Sequence, residues 1–147
     1  MQKMKSAPEF DGGTAWIHSS PLTMASLRGK VVAVEFWTHG CTHCVHAAPR
    51  LQNIVDEFGS RGFVLIGVHT PEFPEEKDAA AVKAFLMHSH LSYPVLLDHD
   101  LALWKAYGVE YWPTLYLIDK QGRIRGTHIG DGGYEKIKQE IQHLLAE

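Results

Sequence analysis

The chain has 147 residues, 45% hydrophobic and 21% charged. That is ordinary globular composition and enough length for one domain with a real core, expected to span 1–147. The formal net charge of −3 supplies no basic field for nucleic acid. No run approaches about 18 consecutive apolar residues, so no membrane span is expected.

Residues 1–20 read as an irregular lead-in, and Pro21–Lys30 as a turn-rich segment ending at Gly29. Val31-Val32-Ala33-Val34-Glu35-Phe36-Trp37 is a β-branched apolar run of the length of a buried parallel strand. Cys41–Phe58 reads as a helix, with Ala47, Leu51, Ile54, Val55 and Phe58 at three- and four-residue steps. Gly59 is its expected stop, and Pro49 inside it predicts a kink. Phe63–His69 is a second buried strand. Glu75–His90 reads as one helix with Ala79, Val82, Phe85 and Leu86 on one face. Tyr93–Asp98 is a short strand, and Leu101–Tyr107 a short helix closed by Gly108. Thr114–Asp119 and Ile124–Ile129 flank Lys120-Gln121-Gly122-Arg123, a hairpin signal. Tyr134–Leu145 is a last helix burying Ile137, Ile141, Leu144 and Leu145. Strands alternating with helices predict a three-layer α/β sandwich around a mixed sheet.

The chemistry concentrates at Cys41-Thr42-His43-Cys44, which holds the only two cysteines. Two cysteines are too few for a secreted disulfide framework. A staple at this spacing would remove little entropy from the unfolded chain. At a strand-to-helix junction, the helix N–H groups and dipole stabilise a thiolate, so the spacing points to redox chemistry. Cys41, at the helix start, is the expected nucleophile. Cys44, a turn further in, is the expected resolving thiol. Glu35 sits among apolar neighbours, where desolvation favours a neutral carboxyl.

Several positions together resemble the thioredoxin-like superfamily. Phe36-Trp37 precedes the cysteines, Glu35 stands where that superfamily has a buried acid, Pro49 follows Cys44 by five, and Trp112-Pro113-Thr114 matches its x-Pro-Thr. The lead Leu27-Arg28-Gly29-Lys30-Val31-Val32, the extra helix and strand between 74 and 98, and His69-Thr70-Pro71-Glu72-Phe73 resemble the TlpA/ResA branch, especially DipZ-type C-terminal domains. The resemblance implies a three-layer α/β/α thioredoxin-like fold with a helix-strand insertion in the middle. It implies a thiol–disulfide oxidoreductase without a bound cofactor, exchanging electrons with protein disulfides or dithiols and with a second thiol couple. Glu35 would then shuttle the Cys44 proton, and Pro113 would be cis. The Trp112 backbone would pair with an extended client segment, Trp112 and Trp37 would wall a shallow groove, and His43 would stabilise the Cys41 thiolate. A monomer is expected. Glu35 in place of Asp, and Thr-His between the cysteines, depart from the thioredoxin pattern and leave the redox potential open.

Two alternatives come from other chemistry. Cys41, Cys44, His39, His43 and His46 are all zinc or copper ligand types, which suits a metal carrier. The insertion also resembles peroxiredoxins, but only Thr38 precedes Cys41 and no Pro lies between Phe36 and Cys41. His39 and His46 read as incidental contributors to local positive potential. The polar start Met1–Ser6 lacks a signal-peptide core. It predicts a cytoplasmic protein, or an extracytoplasmic one whose leader or anchor lies outside this sequence, as the resemblance implies.

Overall fold

In the computed structural model, which describes residues 5–147, six strands form one mixed sheet in the order β1-β4-β3-β2-β5-β6. They are β1 Ala15–Ile17, β2 Val31–Trp37, β3 Phe63–His69, β4 Val95–Leu97, β5 Thr114–Ile118 and β6 Ile124–Ile129. The helices are α1 Thr42–Phe58, α2 Ala79–His88, α3 Ala102–Tyr107 and α4 Tyr134–Leu145. β2, β3 and β4 run parallel, while β1, β5 and β6 each pair antiparallel with their neighbours. This is the expected thioredoxin-like α/β architecture.

Alternation along β2 divides the core in two, because successive side chains leave opposite faces of a strand. Ala33 and Trp37 face one side with Leu65, Leu115 and Leu117, under α1, α2 and α4. Val32, Val34 and Phe36 face the other with Ile66, Leu96 and Ile118, under α3 and the lead-in residues Phe10, Met24 and Leu27. Glu35 therefore projects to the α1 side, among the first set.

The lead-in is not wholly irregular, although its first four residues lie outside the described residues. Ala15–Ile17 forms β1 against β4, anchored where the Thr14 N–H donates to the Leu97 carbonyl at 2.8 Å. The predicted helix 75–90 is also divided. Pro74–Glu76 is a 3-10 turn, and α2 starts after Asp78, whose carboxylate caps the N–H groups of Ala80 and Ala81 at 3.0 and 3.3 Å. α1 ends at Phe58 with Gly59 as its C-cap, as expected. Gly59 keeps helical dihedrals and leads into a 3-10 turn, while Gly62 takes the left-handed φ of 95°. Leu145 is half-buried, beyond the Ile137–Ile141–Leu144 face of α4 that meets the sheet.

Candidate active site

β2 delivers the chain through Thr38-His39-Gly40 to Cys41, which stands at the N-cap of α1 in an extended conformation. Its Sγ accepts the Cys44 N–H at 3.2 Å. A sulfur at this position takes one of the helix's unpaired donors and sits at its positive end, where negative charge is favoured. Both thiols are free, Cys41 half-exposed and Cys44 buried. Burial pushes the Cys44 thiol far above its ordinary range. The hydrogen bond with Cys41 and the charge of Glu35 add to the rise, and a backbone hydrogen bond from Thr38 opposes it.

Glu35 is 3% exposed, and its pKa is raised to about 8, first by burial and then by the charge of Asp131. A narrow cleft lined by Glu35, Ala47, Leu51, Pro113, His128 and Tyr134 gives its carboxyl space on the scale of about one water. Asp131, after β6, binds both the His46 imidazole and the Tyr134 hydroxyl. That cluster ties the active-site helix to α4 beside Glu35.

The Trp112–Pro113 bond is cis, and Pro113 is buried next to Glu35. Trp112 is half-buried; its indole stacks on Trp104 at 3.9 Å and donates to the Thr70 carbonyl at 2.8 Å. His43 is exposed on the first turn of α1. Trp37 does not wall a groove. It is 1% exposed, packed edge-on against His69 at 5.0 Å and against Phe85 at 5.5 Å. The register explains this: Trp37 shares the strand face of Glu35 and Ala33, which points into the core under α2.

Three more groups surround the cysteine loop. The buried Glu76 accepts the Thr38 hydroxyl at 2.6 Å and the Glu72 N–H at 2.9 Å. Gly40 passes so close that a Cβ there would lie 2.3 Å from Glu76 Oε2. His69, at the end of β3, is fully buried and meets both Thr38 and His39. His69 lay within the HTPEF segment, but its contacts, like those of Glu76 and Asp131, come from folding and carry no local spacing signal. Among the described residues, no group of three or more His, Cys, Asp or Glu side chains is arranged to hold a metal ion. No helix among them is long and apolar enough to cross a membrane.

A model of the AhpC/TSA family matches residues 4–127. The chain is 35% identical to the protein DipZ of Mycobacterium bovis over 148 residues, covering 99% of this chain. It spans only 21% of DipZ's length. It is 26% identical to the thiol-disulfide oxidoreductase YkuV of Bacillus subtilis, covering 100% of this chain and 99% of YkuV. Among solved structures, a thioredoxin-like superfamily protein superposes with a TM-score of 0.91 at 34% identity, covering 99% of this chain and 98% of its own.

Proposed function

Because the chain belongs to the AhpC/TSA family of thioredoxin-like proteins, we propose that it is a thiol–disulfide oxidoreductase working through the Cys41/Cys44 couple. The observation that carries this reading is the N-cap sulfur. Cys41 holds the Cys44 N–H at 3.2 Å, with the first thiol half-exposed and the second buried. An accessible thiol at a helix start attacks, and a buried one a turn away resolves. The full-length match to a relative named as a thiol-disulfide oxidoreductase supports the same reading.

In this mechanism the Cys41 thiolate attacks a client disulfide and forms a mixed disulfide. Cys44 then attacks Cys41, closing Cys41–Cys44 and releasing the client as a dithiol. Glu35 exchanges the Cys44 proton. Run backwards, the same steps oxidise a client. The Trp112 backbone beside Pro113 receives the client segment, and His43 favours the Cys41 thiolate from the first turn of α1. Clients are proteins carrying a disulfide or a dithiol. Electrons pass to or from a second thiol couple, and the chain acts as a monomeric single domain. Trp37, being core, has no part in client contact.

Peroxide chemistry fits less well. Thr38 is the one hydroxyl preceding Cys41 in the loop, and it donates to Glu76, away from a peroxide at the thiol. The test is a pair of variants offered a disulfide-bonded protein such as insulin. Cys41→Ser is expected to abolish exchange, and Cys44→Ser to accumulate mixed disulfides sensitive to dithiothreitol. Exchange by Cys41→Ser at the wild-type rate would end this reading.

A further inference from the structure

His39 and His69 make a pair that the exchange mechanism leaves unused. The His39 backbone N–H points at His69 Nε2 from 3.3 Å. A backbone amide can only donate, so this contact makes Nε2 of His69 an acceptor and puts its ring proton on Nδ1, a buried atom without a hydrogen-bond partner among the described residues. His39 Nδ1 lies 2.9 Å from the same Nε2 atom. Two acceptors do not bond each other, so His39 Nδ1 carries its proton and donates it. The Thr38 hydroxyl gives its proton to Glu76, so its oxygen, 3.3 Å from the same Nε2, makes no hydrogen bond to it in this arrangement. The network thus gives the neutral His39 ring one tautomer, with the lone pair on Nε2. His39 is half-exposed, two residues before Cys41, and lines the same surface cleft as Cys41, Val45 and His46.

A nucleophile, an imidazole lining the same cleft, and a buried group that orients the ring make up the arrangement by which thiols and hydroxyls are activated. We propose that His39 is a catalytic acid and base for Cys41, and that His69 is the positioning residue that holds its tautomer and direction. This rests on the exchange reading above. His39 Nε2 takes the Cys41 proton as the thiolate attacks. The bond from Cys41 to the client sulfur forms and the client S–S bond breaks. The departing sulfur takes the proton back from the imidazolium. One disulfide replaces another, with no net gain of protons or electrons. Glu35 then serves Cys44, so each cysteine has its own proton partner.

His69 suits its role because burial, followed by the neighbouring His39 and His99, pushes its pKa down to about 3. It stays a neutral acceptor whatever charge His39 carries. The titratable groups around the pair are His69's own neighbour His99 after β4, Glu76 across Thr38, and Cys41 and His46 at the start of α1.

The first step is isolated in a Cys44→Ser background by timing mixed-disulfide formation with oxidised glutathione between pH 5 and 9. His39→Gln is expected to slow it at least about tenfold at pH 7, less than the roughly hundredfold at the low end of acid–base assistance because a thiol leaves readily. The variant should also lose one inflection of the pH profile. His69→Gln should give the same loss, and the double variant no more, since the two act as a unit. A rate for His39→Gln within about twofold of the parent with an unchanged pH profile would overturn the proposal, as would losses that multiply. His39 is half-exposed, so its variant decides the matter even if His69→Gln fails to fold. Iodoacetamide labelling of Cys41 needs no disulfide partner and separates this proposal from the exchange reading. If the parent forms no mixed disulfide while His39→Gln still shifts the pH midpoint of labelling, exchange falls and the His39 assignment stands.

Discussion

Glu35 and Cys44 bias each other, since the carboxylate charge helps hold the thiol protonated. With a pKa of about 8, Glu35 is mostly neutral at pH 7 and mostly ionised above pH 8. A neutral carboxyl donates a proton to Cys44 as Cys44 leaves the Cys41–Cys44 disulfide. An ionised one takes the proton as Cys44 attacks. The resolving step should therefore accelerate about tenfold from pH 7 through the apparent midpoint of the pair near 8, and Glu35→Gln should be slower and lack that rise. Single-turnover decay of a mixed disulfide measures it; a wild-type rate that is flat across this range would remove Glu35 from the step. Cys41, Cys44 and Glu35 were legible because their signals are local: a two-residue spacing, and a lone acid in an apolar strand. Trp37 misled because an aromatic beside a cysteine loop reads as surface until the strand register assigns its face. His39 read as incidental because what distinguishes it is a partner on another strand.

The connection from β3 to α2, which opens the helix-strand insertion, does more than lengthen the fold. Its 3-10 turn brings Glu76 under Thr38-His39-Gly40, where one carboxylate oxygen accepts two donors and the other packs against Gly40. Removing that acceptor strands a buried hydroxyl, at about 1–3 kcal/mol. Glu76→Ala should lose stability by that amount and speed amide exchange at residues 38–41. Glu76→Gln keeps the accepting oxygen and should lose less. Urea unfolding and hydrogen exchange check both, and equal stability of the alanine variant and wild type would mean that the clamp holds nothing. Glu75 and Glu76 of this turn fall inside the helix expected over 75–90, since the apolar face Ala79, Val82, Phe85 and Leu86 does not mark where the helix begins. The break belongs to Asp78, whose side chain caps α2. β2, β3, β5 and β6 were legible from their apolar runs and from the turn at Gly122. β1 was not, since three residues carry too little alternation and depend on pairing with β4.

At the scale of the whole molecule, two buried titratable groups, Glu35 and His69, stand on adjacent parallel strands and pull stability in opposite directions. Glu35 holds its proton to about pH 8 when folded, against an ordinary value of 4.5. Between those values the folded state binds one more proton than the unfolded state, so its contribution falls as pH rises. His69 stays unprotonated down to about pH 3 when folded, against an ordinary 6.5. Between those values the unfolded state binds the extra proton, so its contribution falls as pH drops. From pH 4.5 to 6.5 the two slopes cancel. Above 6.5 only Glu35 acts, and stability should fall with a limiting slope of about 1.4 kcal/mol per pH unit until about pH 8. Below 4.5 His69 is joined by carboxylates that their partners hold low, among them Asp131 and Glu147, and stability should fall toward acid. Asp119 is held low because hydrogen bonds from Arg123, Arg125 and Gln121 outweigh its burial, and it steepens that loss below its ordinary 3.8. The expected profile of the reduced protein is a plateau with a shoulder on each side. Glu35→Gln should erase the alkaline shoulder and tilt the plateau upward with pH, while His69→Gln should weaken the acid shoulder and tilt it downward. Urea unfolding at half-unit steps from pH 3 to 9 reads all three profiles. Wild-type stability that keeps rising from 6.5 to 8 would mean that Glu35 ionises freely in the folded protein, and the assignment of a raised pKa to its buried carboxyl would be wrong.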